Sequence, residues 1–447
     1  MIPLAVSDLA GELPLTRGDA GCLVERVTTD SREVGPGALF CALEGTRVDG
    51  HAFLGDVIAA GAAAVICRRG SAPPSGDVAV IEVDDPLTAL GVLARHVRRA
   101  WGGKVIGVAG SNGKTSTKDI LAALCGAHVP TLATHANHNN RLGVPLTLFR
   151  LEREHAICVC ELGTSEIGEL ADLCAIAEPG IGVLTNIGPE HLEFLTDVEG
   201  VAREEGSLIG ALAVGADVVV PLDEALLVPY LRSDLRTTTF ARHGADVSCT
   251  GWEVGEHTVA TLSVRGEQVT VATALRAPHH ALNLAAAAAA YALAGLPVAK
   301  LGAGGPAIEL SPRRGQARPR AGGGVVINDA YNANPASIEA SLADLASRRP
   351  RLRTVAVLGH MAELGPSSAG WHEHVGRRAR ELGIDVVVAV GLHGADTVRG
   401  AAGAETHLFA DVEAAASALP GLLKPGDTVL VKASRSQALG QLEEACT

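Results

Sequence analysis

The sequence predicts an α/β protein with three domains, and three observations indicate this. Its 447 residues are too many for a single hydrophobic core. Short apolar runs typical of strands alternate with stretches typical of helices, a pattern that favours largely parallel sheets with helices on both faces. A basic, proline-rich segment at 311–320 then predicts a linker. We therefore expect domains over residues 1–100, 101–307 and 308–447.

Composition restricts the class of partner. Hydrophobic residues make up 47% and charged residues 19% of the chain, as in ordinary soluble proteins. The net charge of -13 argues against general attraction to nucleic acid or to an anionic membrane. Nine scattered cysteines without a Cys-x-x-Cys pair indicate neither a disulfide framework nor a zinc site. With no export signal and no run of eighteen apolar residues in the sequence, we expect a cytoplasmic protein, monomeric by default.

The first domain is predicted to be a small α/β unit with a helix over residues 86–99. Two polar, glycine-containing runs at 28–32 and 43–51 follow short apolar segments in it. Such runs suit loops that hold a polar ligand, although surface turns have the same composition more often. The candidate ligand-binding residues in these runs are Asp30, Ser31, Arg32, Asp49, Gly50 and His51.

The second domain opens with a strand, a glycine-rich turn and a helix, the arrangement of a phosphate-binding loop. Gly110 and Gly113 allow the backbone amides to face a phosphate, Lys114 reaches a terminal phosphate, and Thr115 offers a hydroxyl to magnesium. The strict spacing would place glycine where Val108 stands, so the match is to the shorter Gly-x-x-Gly-Lys-Thr core. The candidate nucleotide-binding residues of the loop are Gly110, Ser111, Asn112, Gly113, Lys114, Thr115 and Ser116.

Polar residues also follow later strands of this domain. Ligands gather at the carboxyl ends of parallel strands, and one apolar strand leads directly to Glu161 while the next leads towards His191. Both are candidate magnesium ligands, although imidazole is a less usual partner for this ion. In an earlier loop, Asn139 and Asn140 suit hydrogen bonding to a substrate.

An alanine-rich stretch closes the second domain. Residues 285–290 are all alanine and predict a close-packed core helix that ends at Gly295. We expect function only at its start, where His279 and Asn283 lie four residues apart, on one helix face, able to contact a base or ribose.

Three strands of the third domain each lead into a polar segment, which indicates one working edge. These segments occupy 328–335, 359–365 and 432–436. His372 and His374 lie two residues apart on a predicted helix and therefore on different faces, and we interpret both as solvent-exposed.

Together these motifs resemble the Mur ligases, ATP-dependent enzymes that build the peptide of bacterial cell-wall precursors. The resemblance covers nearly the whole chain and depends on Thr-Thr-Asp-Ser-Arg, Gly-Ser-Asn-Gly-Lys-Thr, Glu-Leu-Gly, Asp-Ala-Tyr-Asn-Ala-Asn-Pro, Met-Ala-Glu-Leu-Gly and Lys-Ala-Ser-Arg-Ser. It implies a first domain that holds a UDP-linked sugar peptide, a central ATPase domain, and a Rossmann-like C-terminal domain that moves in with the amine, a dipeptide. ATP would activate a carboxylate as an acyl phosphate, which the amine attacks.

The resemblance also implies roles for individual residues. Lys114 would bridge the terminal phosphates, Thr115 and Glu161 would hold one magnesium ion, and His191 would help to hold a second. His279 and Asn283 would lie by the nucleotide. The third-domain residues implied to serve the nucleotide and substrates are Asp329, Tyr331, Asn332, Lys432, Ser434 and Arg435.

Several positions depart from the family pattern. Where the family usually carries a lysine, carbamylated in use, this chain has Glu205. We hypothesise that Glu205 supplies the same charge to the second magnesium ion; the alternative is an exposed helix glutamate without function. Other departures are Glu166 for histidine, His280 for asparagine, Gln316 for arginine and His360 for aspartate, with Arg314 or Arg318 as replacements for the missing arginine.

These departures leave two other functions open. One is an amide ligase recruited to a specialised metabolite or nucleoside pathway, and the other is a non-catalytic nucleotide-binding regulatory protein.

Overall fold

The computed structural model describes residues 1–73, 78–348, 350 and 352–447. Three main sheets, each packed against helices, follow one another along the chain, which confirms the predicted α/β class. Within the described residues no helix is both long enough and apolar enough to span a bilayer. Short 3-10 helices lie at Val6–Leu9, Ser31–Glu33, Gly50–Phe53, Ala225–Tyr230, Val298–Ala307, Gly365–Ser367, Arg435–Gln437 and Leu439–Gln441.

The first sheet is small and entirely parallel. In spatial order its strands are Arg26–Thr28, Ala38–Cys41, Ala64–Arg68 and Ala79–Val83. Its helices are Leu54–Ala59 and Pro86–Trp101, and a separate antiparallel pair joins Leu4–Ala5 to Leu23–Val24. The longer helix begins where the Asp85 carboxylate accepts hydrogen bonds from the backbone of Leu87 and Thr88, and it ends at Gly102 in the left-handed conformation.

The central sheet has nine strands, most of them parallel. In spatial order they are Glu267–Thr273, Thr258–Val264, Val247–Val254, Arg236–Ala241, Asp217–Pro221, Ile181–Leu184, Lys104–Ala109, Ile157–Glu161 and Thr131–Ala133. The first three form an antiparallel meander, which the predicted strand and helix alternation did not anticipate. Tight turns join these strands, and the Thr258–Val264 strand buries alternate residues as a sheet with one covered face requires.

Six helices belong to the central sheet. They are Lys114–Gly126, Gly143–Leu148, Glu169–Ala177, Leu192–Leu195, Val198–Ala211 and His280–Leu293. The alanine run of the last helix is buried throughout, which confirms the predicted core helix, and it packs against the helix that begins at Lys114. The helix N-terminus of the phosphate loop therefore stands on a close-packed support.

The C-terminal sheet has six strands, parallel except for the first. In spatial order they are Gln316–Pro319, Val325–Asn328, Thr428–Lys432, Thr354–Leu358, Val386–Val390 and Glu405–Phe409. The accompanying helices are Pro335–Ser347, Ser368–Glu381, Gly394–Gly400, Val412–Leu422 and Leu442–Cys446. The linker predicted at 311–320 was partly wrong, because its second half forms the antiparallel edge strand.

The central and C-terminal domains share part of their cores. Leu192, Leu195 and Val201 of the central domain pack in one apolar cluster with C-terminal residues that include Met361 and Leu364. We call these five side chains the interdomain seam. Its burial favours contact between the two domains.

The interpretation of His372 as solvent-exposed was wrong. The residue is 1% exposed, and its ring packs against those of His360 and His393, with centroids 5.3 and 4.9 Å away. Nε2 accepts the backbone N–H of Met361 at 3.0 Å, and Nδ1 donates to the Ser368 carbonyl at 2.7 Å. The neutral ring thus satisfies two buried backbone groups. His374, on the other face, pairs with a glutamate at the partly exposed surface.

This arrangement predicts an acid-labile C-terminal domain. Burial lowers the pKa of His372 from 6.5 to about 4. The unfolded chain therefore takes up a proton as the pH falls from 6.5 to 4 while the folded chain does not, and stability is lost over that interval. We expect a loss of about 3 kcal/mol. Chemical unfolding at pH 7 and pH 4.5 should show a smaller loss in His372→Gln than in the natural chain; equal losses would contradict the assignment.

Candidate active site

A cavity of about 1100 Å³ opens between the carboxyl ends of the central strands and those of the C-terminal strands. Most of the residues predicted from the sequence line it. They are Ser111, Asn112, Gly113, Lys114, Thr115, Ser116, Asn139, Asn140, Glu161, His191, His279, Asn283, Asp329, Tyr331, Asn332, Lys432, Ser434 and Arg435. The cavity thus joins the phosphate loop to the polar edge of the third domain.

The phosphate loop requires glycine at two positions. Gly110 has φ 114° and Gly113 has φ 84°, both in the left-handed region that side chains disfavour. A Cβ on Gly110 would lie 2.3 Å from Thr185 Oγ1, and one on Gly113 would lie 2.6 Å from Asn283 Oδ1. The predicted backbone curl and the predicted strand and helix around it are confirmed.

Side chains from the next strand end hold the loop in place. Asn186 Oδ1 accepts the Asn112 N–H at 2.9 Å, and its Nδ2 donates to the Asn112 carbonyl at 3.0 Å. The Ser111 hydroxyl bridges the carbonyl and N–H of Gly188. These hydrogen bonds within the protein hold the loop in its curled conformation, so the loop is preorganised.

Lys114 lies among carboxylates. Its Nζ is 3.6 Å from Glu190 Oε1 and 3.9 Å from Glu205 Oε1, and it donates to the carbonyls of Gly110 and Ser111. Burial alone would lower the pKa of Lys114, but the charges of the nearby carboxylates outweigh it and the pKa is raised. The ammonium group consequently stays charged at the floor of the cavity.

Glu205 lies directly behind the loop and not in the cavity lining. It is completely buried, so the alternative of an exposed helix glutamate was wrong. Its Oε2 accepts the Gly110 N–H at 2.7 Å, whereas its buried Oε1 has no hydrogen-bond partner among the described residues. Burial raises the pKa of Glu205 to about 7 despite the charge of Lys114. The neighbouring Glu204 faces away from the loop and caps the helix Glu169–Ala177 instead.

Glu161 and Thr115 form a candidate cation site. Glu161 Oε1 accepts hydrogen bonds from Thr115 Oγ1 at 3.1 Å and from Asn139 Nδ2 at 2.8 Å. The second oxygen, Oε2, is buried and has no partner among the described residues. A buried carboxylate oxygen without a donor beside a threonine hydroxyl fits a hard divalent cation such as Mg²⁺.

Arg314, one of the two candidate replacement arginines, reaches this site. Its Nη2 donates to Thr115 Oγ1 at 2.9 Å, and its guanidinium carbon lies 3.9 Å above the centre of the Tyr331 ring. Gln316 accepts the Arg314 N–H and so fixes the turn that carries the arginine. The other candidate, Arg318, instead pairs with Glu443 and is largely exposed.

His191 connects the central domain to the C-terminal domain. Its Nδ1 hydrogen-bonds to Glu363 Oε2, and its Nε2 is 3.9 Å from Glu190 Oε2. Burial opposes protonation of His191, but the hydrogen bond to Glu363 and the charge of Glu190 prevail and its pKa is raised. The same hydrogen bond lowers the pKa of Glu363.

On the C-terminal side of the cavity, a buried lysine fixes the polar edge. Lys432 Nζ donates to Asp329 Oδ2 at 2.6 Å and to the Asn332 carbonyl at 3.2 Å. Ser434 Oγ accepts the N–H of Ala362, which ties this edge to the segment before Glu363. Arg435 is exposed at the rim.

The residues at the start of the alanine-rich helix lie at the cavity wall as their spacing suggested. His279 contacts His280 edge to face at 4.4 Å, and burial lowers the pKa of both rings. They therefore remain neutral near pH 7, and Asn283 extends beneath the turn at Gly113.

The structure does not bring the predicted first-domain residues to the cavity lining. Asp30 caps a 3-10 helix and binds Arg32, while Asp49 caps the next one and binds His51. The positions concerned are Asp30, Ser31, Arg32, Asp49, Gly50 and His51. Asn140 lines the cavity but uses its Oδ1 to accept the backbone N–H of Gly143.

Sequence reasoning missed two residues of this site, Glu190 and Glu363. Glu190 directly precedes His191 after a strand end, a signal that was available. Glu363 lies in a polar segment that follows a C-terminal strand, but its contact with His191 spans 172 residues and leaves no local signal.

Comparisons with known proteins agree with this architecture. Three family descriptions match the chain: "Mur ligase family, catalytic domain" over residues 23–98, "Mur ligase middle domain" over 108–291, and "Mur ligase, glutamate ligase domain" over 313–435. The "UDP-N-acetylmuramoyl-tripeptide--D-alanyl-D-alanine ligase" of Escherichia coli K12 is 34% identical, covering all of this chain and 98% of that protein.

Solved structures are similar over the same extent. A crystal structure of MurF from Acinetobacter baumannii matches with a TM-score of 0.89 and 28% identity, covering 99% of this chain and 98% of that one. The MurF ligase from Thermotoga maritima in complex with ADP matches with a TM-score of 0.84 and 30% identity, covering 94% and 96%. The similarity extends through all three sheets, and this chain belongs to the Mur ligase family.

Proposed function

We propose that this chain is an ATP-dependent ligase that adds D-alanyl-D-alanine to UDP-N-acetylmuramoyl-tripeptide in peptidoglycan precursor synthesis. One observation carries the proposal: Lys114 of the phosphate loop and the Asp329–Lys432 edge of the third domain line the same cavity. A carboxylate activated at the loop is thereby within reach of an amine held by the third domain. The name of the Escherichia coli relative described above states this activity.

The residues suit the chemistry of amide formation. ATP phosphorylates the tripeptide carboxylate to an acyl phosphate, the amine attacks the carbonyl carbon, and phosphate leaves as the tetrahedral intermediate collapses. The main requirements are positioning and neutralisation of phosphate charge. The loop amides and Lys114 supply the positive charge, and Asn283 with His279 would contact the nucleoside. Domain contact would exclude water from the acyl phosphate.

Magnesium fits the donors present. Thr115 and Glu161 would hold one ion and His191 would help to hold a second, and when bound these ions neutralise charge on the phosphates being transferred. The unpartnered Oε2 of Glu161 supports this assignment. We also propose the roles given above for the remaining predicted residues. In this proposal residues 1–100 hold the UDP-linked substrate, 101–307 the ATP and 308–447 the dipeptide.

The partners we propose are small molecules only, namely the UDP-linked sugar peptide, the dipeptide and ATP. The chain would work as a monomer in the cytoplasm, without a nucleic-acid or membrane partner.

A phosphate-release assay tests the function directly. It combines ATP, Mg²⁺, UDP-N-acetylmuramoyl-tripeptide and D-alanyl-D-alanine, with each substrate omitted in turn. Release that requires both carbon substrates supports the proposal. Activity only with other acid and amine pairs would indicate recruitment to another pathway, and ATP binding without release would indicate a regulatory protein.

Glu205 yields a separate prediction about magnesium. If its carboxylate serves the second ion, Glu205→Gln should raise the half-saturating Mg²⁺ concentration at least about tenfold. Glu204→Gln is the matched control, because Glu204 is also buried yet, among the described residues, hydrogen-bonds only to Thr164, Gly168 and Leu170. Unchanged turnover and Mg²⁺ dependence in Glu205→Gln would show the hypothesis to be wrong.

A further inference from the structure

The contact between His191 and Glu363 crosses the boundary between two domains. Both residues adopt the left-handed backbone conformation, with φ 51° for His191 and 61° for Glu363. Such conformations are costly for residues with side chains, so the surrounding structure must hold them. From these two positions the side chains meet in the hydrogen bond between Nδ1 of His191 and Oε2 of Glu363.

Main-chain and apolar contacts fix the same junction. The Glu193 N–H donates to the Glu363 carbonyl at 3.0 Å, two residues from His191. The interdomain seam lies immediately beside it. The pairing of His191 with Glu363 is therefore part of a packed junction and not an isolated surface ion pair, which would contribute little.

The hydrogen bond determines which ring nitrogen faces the cavity. An ionised carboxylate only accepts hydrogen bonds, so the shared proton lies on Nδ1 of His191. Nε2 is left towards Glu190 and makes no hydrogen bond to any described residue. A histidine that binds a metal through one nitrogen commonly donates its other N–H to a carboxylate, which orients the ring.

We propose that Glu363 is a positioning residue that orients His191 for the cation of the phosphate site. This inference rests on the proposed function, because it takes His191 as a magnesium ligand. Since Glu363 belongs to the C-terminal domain, the central domain acquires a correctly oriented His191 only when that domain is docked. Activation of the carboxylate by ATP would thus be coupled to docking of the domain that carries the amine.

Metal binding without turnover provides the test. Mn²⁺ replaces Mg²⁺, and its affinity for the full chain with β,γ-methylene-ATP is measured by electron paramagnetic resonance. Glu363→Ala should weaken Mn²⁺ binding by about 10- to 100-fold. Glu339→Ala is the matched control, because Glu339 pairs with His374 at 2.8 Å in the same domain but outside the cavity, and it should leave the affinity unchanged.

Two further measurements distinguish a positioning role of Glu363 from a general loss of structure in the variant. In a His191→Ala background, adding Glu363→Ala should change Mn²⁺ affinity by less than about twofold, because the interaction is already absent. In ¹⁵N-histidine-labelled protein, the Nδ1–H of His191 should be protected from exchange with water and should lose that protection in Glu363→Ala. Glu363→Met, which preserves the length of the side chain but has no oxygen to accept the Nδ1–H, serves if the alanine variant unfolds.

Unchanged Mn²⁺ affinity and unchanged Nδ1–H protection in a folded Glu363 variant would overturn the inference. Neither measurement needs the sugar peptide or the dipeptide. If the natural chain ligates neither substrate while Glu363→Ala still weakens Mn²⁺ binding, the proposed function fails and the positioning role stands.

Discussion

Replacing Lys114 by methionine is expected to lower kcat by about 10³-fold, the upper range for losing one preorganised charge at a reacting centre. Methionine retains the length of the side chain but removes the ammonium group that faces the cavity. Glu190 and Glu205 then lose the cation that lies between them. The phosphates of ATP would meet the Glu190 carboxylate at the cavity wall without compensation, so binding and transfer would both weaken.

The measurement is phosphate release at saturating substrates, with a thermal unfolding scan to establish that the variant is folded. Lys104→Met is the matched control, because Lys104 begins the strand that leads to the loop but donates to the Ala294 carbonyl away from the cavity. Turnover of folded Lys114→Met within tenfold of the natural chain would rule out the role assigned to this lysine.

Glu161→Gln is expected to reduce kcat by about 10²-fold and to raise the Mg²⁺ requirement. Glutamine keeps an oxygen that accepts from Thr115 and Asn139, so the hydrogen bonds to Oε1 survive. The position of the unpartnered Oε2 is taken by an NH₂ group, which repels a cation. The substitution thus tests the charge while the fold is preserved.

Half-saturating Mg²⁺ in the same assay reports this effect, supported by calorimetric titration of Mg²⁺ with β,γ-methylene-ATP. Glu253→Gln, on an exposed strand position of the same sheet, should match the natural chain. A folded Glu161→Gln that needs no more Mg²⁺ than the natural chain would exclude Glu161 as a ligand.

Local patterns were enough to predict several parts of the molecule. The strand and glycine turn before Lys114 follow from residue types at fixed spacing, because left-handed glycines and a helix N-terminus are local features. The alanine-rich helix follows from propensity and burial. The placement of Glu161 and His191 at one edge followed from the rule for parallel strand ends.

Other parts depend on contacts that no local pattern contains. The burial of His372 results from packing against His360 and His393, which are distant in the sequence, so helix spacing alone assigned it to the surface. The edge strand at 316–319 forms only because a partner strand is available to pair with it. Glu363 joins His191 across 172 residues and depends entirely on how two domains meet.

The shared packing of the central and C-terminal domains bears on how the protein can be divided. A fragment that stops at residue 307 would leave Leu192, Leu195 and Val201 facing water, since their covering side chains come from the remainder of the chain. An exposed apolar patch of this kind favours self-association and aggregation. For the same reason, a rotation of the C-terminal domain would either expose these three side chains to water or move the short segment around Leu192 together with that domain. In the second case the hinge would lie inside the central domain and not at the predicted boundary after residue 307.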